Sequence, residues 1–205
     1  MARNRPAGKP GVRPPWACAP RSAPGYLLRV TRRHVLFDFA DPAAAAAFAP
    51  IDDVVMGGRS WSRAVPADGA LRFEGEVSLE QGGGFASIRS RPCRADLSGL
   101  DGLVLTVRGD GRRYKVNLRI DEAFDGVTWQ APLEPPAGEW RTVTLPFAAF
   151  APRFRGRAVP EAGPLDPARI ATLGFLVGDR QAGPFRLEVA RVEAAPASPR
   201  QEAAP

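Results

Sequence analysis

Histidine is almost missing from this sequence: His34 is the only one in 205 residues. A serine or cysteine nucleophile needs a base beside it, and a transition-metal site needs imidazole or thiolate. One histidine and two cysteines, Cys18 and Cys93, supply neither arrangement. Cys18 sits in a Pro/Gly-rich leader, so no structural disulfide is expected, and a reducing compartment fits. No apolar run approaches the roughly 18 residues needed to cross a bilayer, and no signal-peptide core is visible near the N-terminus. Lysine is as scarce: two residues against 26 arginines. Surface chemistry does not demand that ratio. A GC-rich coding bias accounts for it, and a bacterial, cytoplasmic protein is the expectation.

Acidic residues are absent from the first 37 positions, where Arg3, Arg5, Lys9, Arg13, Arg21, Arg29, Arg32 and Arg33 lie. The remaining chain carries 20 basic against 22 acidic residues. A nucleic-acid footprint belongs on the folded domain itself; here the domain is near neutral, so no nucleic-acid partner is expected. The basic leader has the charge of an organellar transit peptide, but proline and glycine interrupt any amphipathic helix in it. Residues 1–33 read as a disordered tail with six prolines and three glycines and no periodicity. A translation start at Val30 would leave residues 1–29 outside the native protein. Residues 194–205 read as a polar Pro/Ala tail, which leaves 34–193 as the domain.

What the domain has in quantity is short alternating segments and turn residues. Gly (21) and Pro (22) exceed a fifth of the chain, which leaves little room for long helices. Val35–Phe39, Leu71–Phe73, Val77–Leu79, Phe85–Arg89, Tyr114–Ile120, Val127–Trp129, Trp140–Leu145, Leu173–Val177 and Phe185–Val189 read as strands, and Leu103–Val107 as a denser, central one. Asp68-Gly69, Asp101-Gly102, Asp110-Gly111, Asp125-Gly126 and Gly138-Glu139 mark turns between them. Asp41-Pro42 opens a helix of about two turns, and Asp166-Pro167 another of one or two turns. Nine or ten short strands at this spacing predict an all-β jelly-roll β-sandwich with one or two short helices.

Several features invite chemistry. Glu74 and Glu76 lie two apart on a strand and share a face, as a glycosidase pair in a groove would; a solvent face explains them more simply. Asp52, Asp53, Asp110, Asp121, Asp125 and Asp179 lie near turns and could supply loop oxygens to a structural calcium, although turn aspartates usually cap backbone amides. No cofactor or metal is expected. The clusters Met56-Gly57-Gly58, Gly82-Gly83-Gly84 and Gly109-Asp110-Gly111 do not open long helices, so they are not phosphate loops. Arg108-Gly109-Asp110 reads as a turn.

Six segments, in order, resemble one family. Asp53-Val54-Val55-Met56-Gly57-Gly58-Arg59-Ser60 is similar to its signature loop. Phe73-Glu74-Gly75 with Val77-Ser78-Leu79, then Gly83-Gly84-Phe85-Ala86-Ser87-Ile88-Arg89, match its next block. Gly109-Asp110-Gly111-Arg112-Arg113-Tyr114 follows, then Leu145-Pro146-Phe147 and Gln181-Ala182-Gly183-Pro184-Phe185. This is the family of the thirty-kilodalton complex I intermediate-associated protein, and the resemblance spans Phe37 to Val192. Asp52 stands where the family usually has Asn, and Phe48 is the nearest aromatic where a Trp is common. The resemblance implies a galactose-binding-domain-like jelly roll. It also implies a chaperone-like, non-catalytic assembly role, with a protein partner such as subunits of a respiratory NADH dehydrogenase. The expected contact residues are Asp53, Met56, Gly57, Gly58, Ser60, Phe85, Ser87, Arg89 and Asp110. Two alternatives stand beside it. A carbohydrate-binding module would expose Trp or Tyr on a concave sheet, and a jelly-roll hydrolase would face Glu74 or Glu76 with another carboxylate.

Overall fold

The computed structural model describes residues 33–196. The readings of a basic tail over residues 1–32, of a start at Val30, and of residues 197–205 lie outside the described residues.

Two antiparallel sheets are formed by thirteen strands: β1 His34–Asp38, β2 Phe48–Pro50, β3 Trp61–Ala67, β4 Ala70–Val77, β5 Ala86–Ser90, β6 Gly102–Arg108, β7 Tyr114–Arg119, β8 Thr128–Leu133, β9 Arg141–Pro146, β10 Ala151–Phe154, β11 Arg157–Ala158, β12 Thr172–Val177 and β13 Gly183–Ala195. One sheet runs β3-β4-β13-β6-β9, with β1 beside the second half of β13. The other runs β11-β10-β8-β7-β12-β5-β2. This is the expected galactose-binding-like jelly-roll sandwich.

The period-2 pattern explains the layers. In β4, Leu71, Phe73 and Val77 are buried while Arg72, Glu74 and Glu76 face outward. Leu103, Leu105, Val107, Phe185, Leu187 and Val189 extend that inner surface across β6 and β13. Ile88, Tyr114, Val116, Leu118, Trp129, Phe175 and Val177 meet it from the second sheet. Each such side chain taken fully out of water contributes roughly 1.5–3 kcal/mol, so the inward pattern fixes the register of the core strands. Asp68 and Gly69, both at positive φ, make the two-residue turn between β3 and β4, as the right-handed strand twist favours.

Four findings differ from the sequence reading. The Asp41-Pro42 helix is a single turn, α1 Pro42–Ala45, capped by Asp41 onto the Ala43 amide. It stops because Phe48 must turn into β2 to pair with Ser90. Asp166-Pro167 opens only a 3₁₀ turn over Pro167–Arg169. β2, β3, β10 and β11 were not read as strands. β3 is an edge strand that holds Pro66 and buries no residue fully, so its alternation is weak. β13 runs through Ala194 to Ala195, pairing with Leu103 and Gly102.

Candidate functional site

Asp53 organises the signature loop. The loop leaves β2, makes a 3₁₀ turn over Asp53–Met56, and closes on Gly57 at positive φ before entering β3. The Asp53 side chain turns inward and is fully buried. Its carboxylate accepts from the Ser60 amide at 2.9 Å, the Ser60 hydroxyl at 2.6 Å, the Gly84 amide at 2.7 Å and the Phe85 amide at 3.2 Å. Burial pushes the Asp53 carboxyl up, but the Ser60 hydroxyl and those amides outweigh it and hold it below the usual carboxylate range. One glycine of each run is required by this group. A Cβ on Gly58 would lie 2.9 Å from Asp53 Cβ, and one on Gly83 2.7 Å from Asp53 Oδ2.

Asp52 makes a second tie, accepting from the Ser62 amide at 2.8 Å, the Ser62 hydroxyl at 2.7 Å and the Ser87 amide at 3.0 Å. Here burial prevails over the bonds from Ser62 and Ser87, and the carboxyl is raised. The Ser87 hydroxyl donates to the Ile51 carbonyl. Two adjacent carboxylates thus stitch one loop to β3, β5 and the glycine run before β5.

The consequence stands at the tip. Val54, Val55 and Met56 are 60, 62 and 60% exposed, on a turn too well tied to fold them away. Met56 therefore does not fill the core. Among the expected contact residues, Met56 and Gly57 face solvent, while Asp53, Gly58, Ser60 and Ser87 are buried and act through the loop they hold. Phe85 is half-buried beside Asp53. Asp110 serves other partners: it accepts from the Tyr114 hydroxyl, the Arg112 amide and the Arg186 amide, and with burial it raises the Tyr114 phenol. The sequence reading missed Val54 and Val55. Their signal was available: two β-branched apolar residues inside a Gly-terminated turn rather than a strand.

Arg89 points elsewhere, onto the outer face of the seven-stranded sheet. That face carries Ser87 and Arg89 from β5, Thr172, Gly174 and Leu176 from β12, and Lys115, Asn117 and Arg119 from β7. The loop 121–126 covers part of it. Arg89 donates to the Ala123 and Phe124 carbonyls, and Arg119 to Asp121 Oδ1 and the Asp125 carbonyl.

The outer face of the six-stranded sheet is an ionic ladder in strict register. Arg63, Glu74 and Arg186 form one row, and Arg72, Glu188 and Arg108 the next. Glu74 is held between two arginines rather than facing another carboxylate, unlike a hydrolytic pair. Trp140 stacks on Arg108, and Trp61 lies at the opposite edge, four strand spacings or about 19 Å away. They form no common stacking platform, and Trp129 is buried. The six aspartates considered for calcium serve separate partners, with Asp121 on Arg119, Asp125 on Arg155 and Asp179 on Lys115. Among the described residues no group of three or more His, Cys, Asp and Glu is placed to hold a metal ion. Among them, too, no helix is long and apolar enough to cross a membrane.

Comparison with known proteins adds three findings. A profile of the Complex I intermediate-associated protein 30 family matches residues 37–189. The chain is 29% identical over 192 residues to Complex I intermediate-associated protein 30, mitochondrial, of Drosophila melanogaster, covering 82% of this chain and 64% of that one. The protein of the same name in Mus musculus is 34% identical over 131 residues, covering 60% and 39%. The chain thus spans less than two thirds of the length of either relative. Among solved structures it resembles a family 11 carbohydrate-binding module from Clostridium thermocellum (TM-score 0.60, 17% identity, 80% of this chain and 96% of that one). It also resembles part of an agarase (TM-score 0.55, 13% identity, 81% and 25%). At such identities the likeness is one of fold. The relatives are named as mitochondrial proteins, which overturns the expected cytoplasmic location. They are eukaryotic, and they lend no support to the bacterial origin suggested by the arginine bias.

Proposed function

Because the chain belongs to the Complex I intermediate-associated protein 30 family, we propose that it is a non-catalytic module that holds a protein subunit during assembly of a respiratory NADH dehydrogenase-type complex. One observation carries this reading: the apolar tip Val54-Val55-Met56, more than half exposed and mounted on a buried carboxylate. A protein does not gain by ordering three apolar side chains in water. Covering them is worth about 3–5 kcal/mol, or roughly two to four powers of ten in affinity. Methionine adapts its shape to a partner, and the rigid mount lowers the ordering cost of binding.

Affinity capture from detergent-solubilised cells of the source organism tests the reading, with the native chain beside Val55→Asp/Met56→Asp. Respiratory-complex subunits should be recovered by the native chain and lost with the double variant, whose melting temperature stays unchanged. Equal recovery by both, or no respiratory subunit with either, sinks the proposal.

A further inference from the structure

Three side-chain polar atoms are buried without a hydrogen-bond partner among the described residues: Asn117 Oδ1, Arg119 Nε and Thr172 Oγ1. They are not scattered. Thr172 is the cross-strand neighbour of Arg119, and Asn117 lies two residues back on the same face, beside Gly174. Directly paired positions lie about 5 Å apart and diagonal ones about 7 Å, so the three converge on one spot of the seven-stranded sheet. Arg119 and Thr172 are each only 4% exposed. Leaving such buried groups unpaired is destabilising, a cost that a fold with no use for the spot would remove with valine or leucine.

The two arginines at this spot are not equally paired. Arg119 pairs with Asp121. Arg89, across Gly174 from Asn117, donates only to the neutral carbonyls of Ala123 and Phe124. Burial, and then the positive charge of Arg119, lower the Arg89 guanidinium below its usual value, although Asp121 and Asp125 act the other way. Arg89 is therefore held without a directly bonded carboxylate, where one would be favourable. Guanidinium binds carboxylate oxygens more strongly than neutral carbonyls. Apart from the bonds of Arg89 and Arg119 themselves, the 121–126 loop that supplies those carbonyls is tied by exposed ion pairs, Glu122 to Arg94 and Asp125 to Arg155, which are individually weak. Its apolar residue Phe124 is 67% exposed and lies against Arg89 through the ring face.

We propose that the floor formed by Arg89, Asn117, Arg119 and Thr172 is a binding site for a carboxylate, which takes over the guanidinium bonds now made by the 121–126 loop. The Arg119 Nε–H and the Thr172 hydroxyl donate to the carboxylate oxygens, and a half-turn of the Asn117 amide brings its NH₂ to the same point. Two sources share this chemistry: a small organic acid, or an acidic side chain of a partner protein. The site is separate from the Val54–Met56 tip and stands or falls independently of the assembly role.

Thermal shift and amide NMR titration of the full chain test it. The probes are sodium acetate, sodium succinate and a hexaglutamate peptide, with sodium chloride of matched ionic strength and cellobiose as controls. The acids should raise the melting temperature and move the amide signals of Arg119, Thr172 and residues 121–126, and the controls should not. Tighter binding of succinate or of hexaglutamate tells the two sources apart. Thr172→Val should weaken acid binding about tenfold while the protein melts no lower, because an unpaired hydroxyl is exchanged for a methyl. Arg89→Gln should abolish binding. The proposal is overturned by no acid effect beyond chloride, by equal acid binding in both variants, or by a response to neutral cellobiose alone.

Discussion

Gly58 packs directly against the Asp53 side chain, so that even one added carbon at position 58 would lie 2.9 Å from Asp53 Cβ. The closeness is what lets the carboxylate reach Ser60 on one side and the Gly84 and Phe85 amides on the other. Gly58→Ala should therefore cost about 2 kcal/mol through overpacking. Gly57→Ala has open space but a φ of +91°, and it should cost about 1 kcal/mol through backbone strain alone. Urea denaturation of both variants measures the order, and a smaller loss at Gly58 would refute the packing account.

Removing the carboxylate itself should be worse. Asp53→Ala strands the Ser60, Gly84 and Phe85 amides in a buried site and should cost at least about 3 kcal/mol, at 1–3 kcal/mol per stranded group. Met56→Asp, three residues away on the exposed tip, should stay within about 0.5 kcal/mol of the native chain. Melting curves of the two variants show whether the motif divides into a buried mount and an exposed contact.

The same carboxylates set an acid response. Asp53 is lowered in the fold, so its contribution is complete above the unfolded value of about 3.9 and is lost as pH falls through its native value. Asp52 is raised, so its contribution has the opposite sign, present at low pH and lost as pH rises through its native value. Native protein should lose stability below pH 4, and Asp53→Asn should make that loss shallower without abolishing it, since Glu188, Asp38, Asp96 and Asp125 are lowered as well. Urea midpoints between pH 3 and 6 for both proteins decide it; parallel curves would contradict the assignment.

Glu188 is buried between Arg72 and Arg108, at 3.1 and 2.6 Å. Burial raises its carboxyl, but Arg108 and then Arg72 bring it below the usual range. Glu188→Ala should cost about 3 kcal/mol, since it leaves two arginines in repulsion on a partly dry face. Asp125→Ala breaks the exposed pair with Arg155 and an exposed bond from the Gly126 amide and should cost about 1 kcal/mol. Equal losses in denaturation would show that burial does not govern these pairs.

The alternation of apolar and polar residues determined the sandwich by itself. A strand such as β4, with Leu71, Phe73 and Val77 on one side and Arg72, Glu74 and Glu76 on the other, has only one way to bury its apolar face. The ordered glycine, aspartate and aromatic motifs likewise carried the family resemblance, because those residue types are demanded by backbone shape and recur wherever that shape does. Edge strands stayed hidden, since β3 and β11 owe their pairing to neighbours rather than to their own pattern. The division of labour within the signature loop was decided only in three dimensions. Sequence shows Asp53 and Met56 as equal members of one motif, and it is the long-range bonds from Gly84 and Phe85 that turn one inward and leave the other in solvent. The floor of Arg89, Asn117, Arg119 and Thr172 was equally invisible, because strands distant in sequence are brought side by side only when the sheet forms.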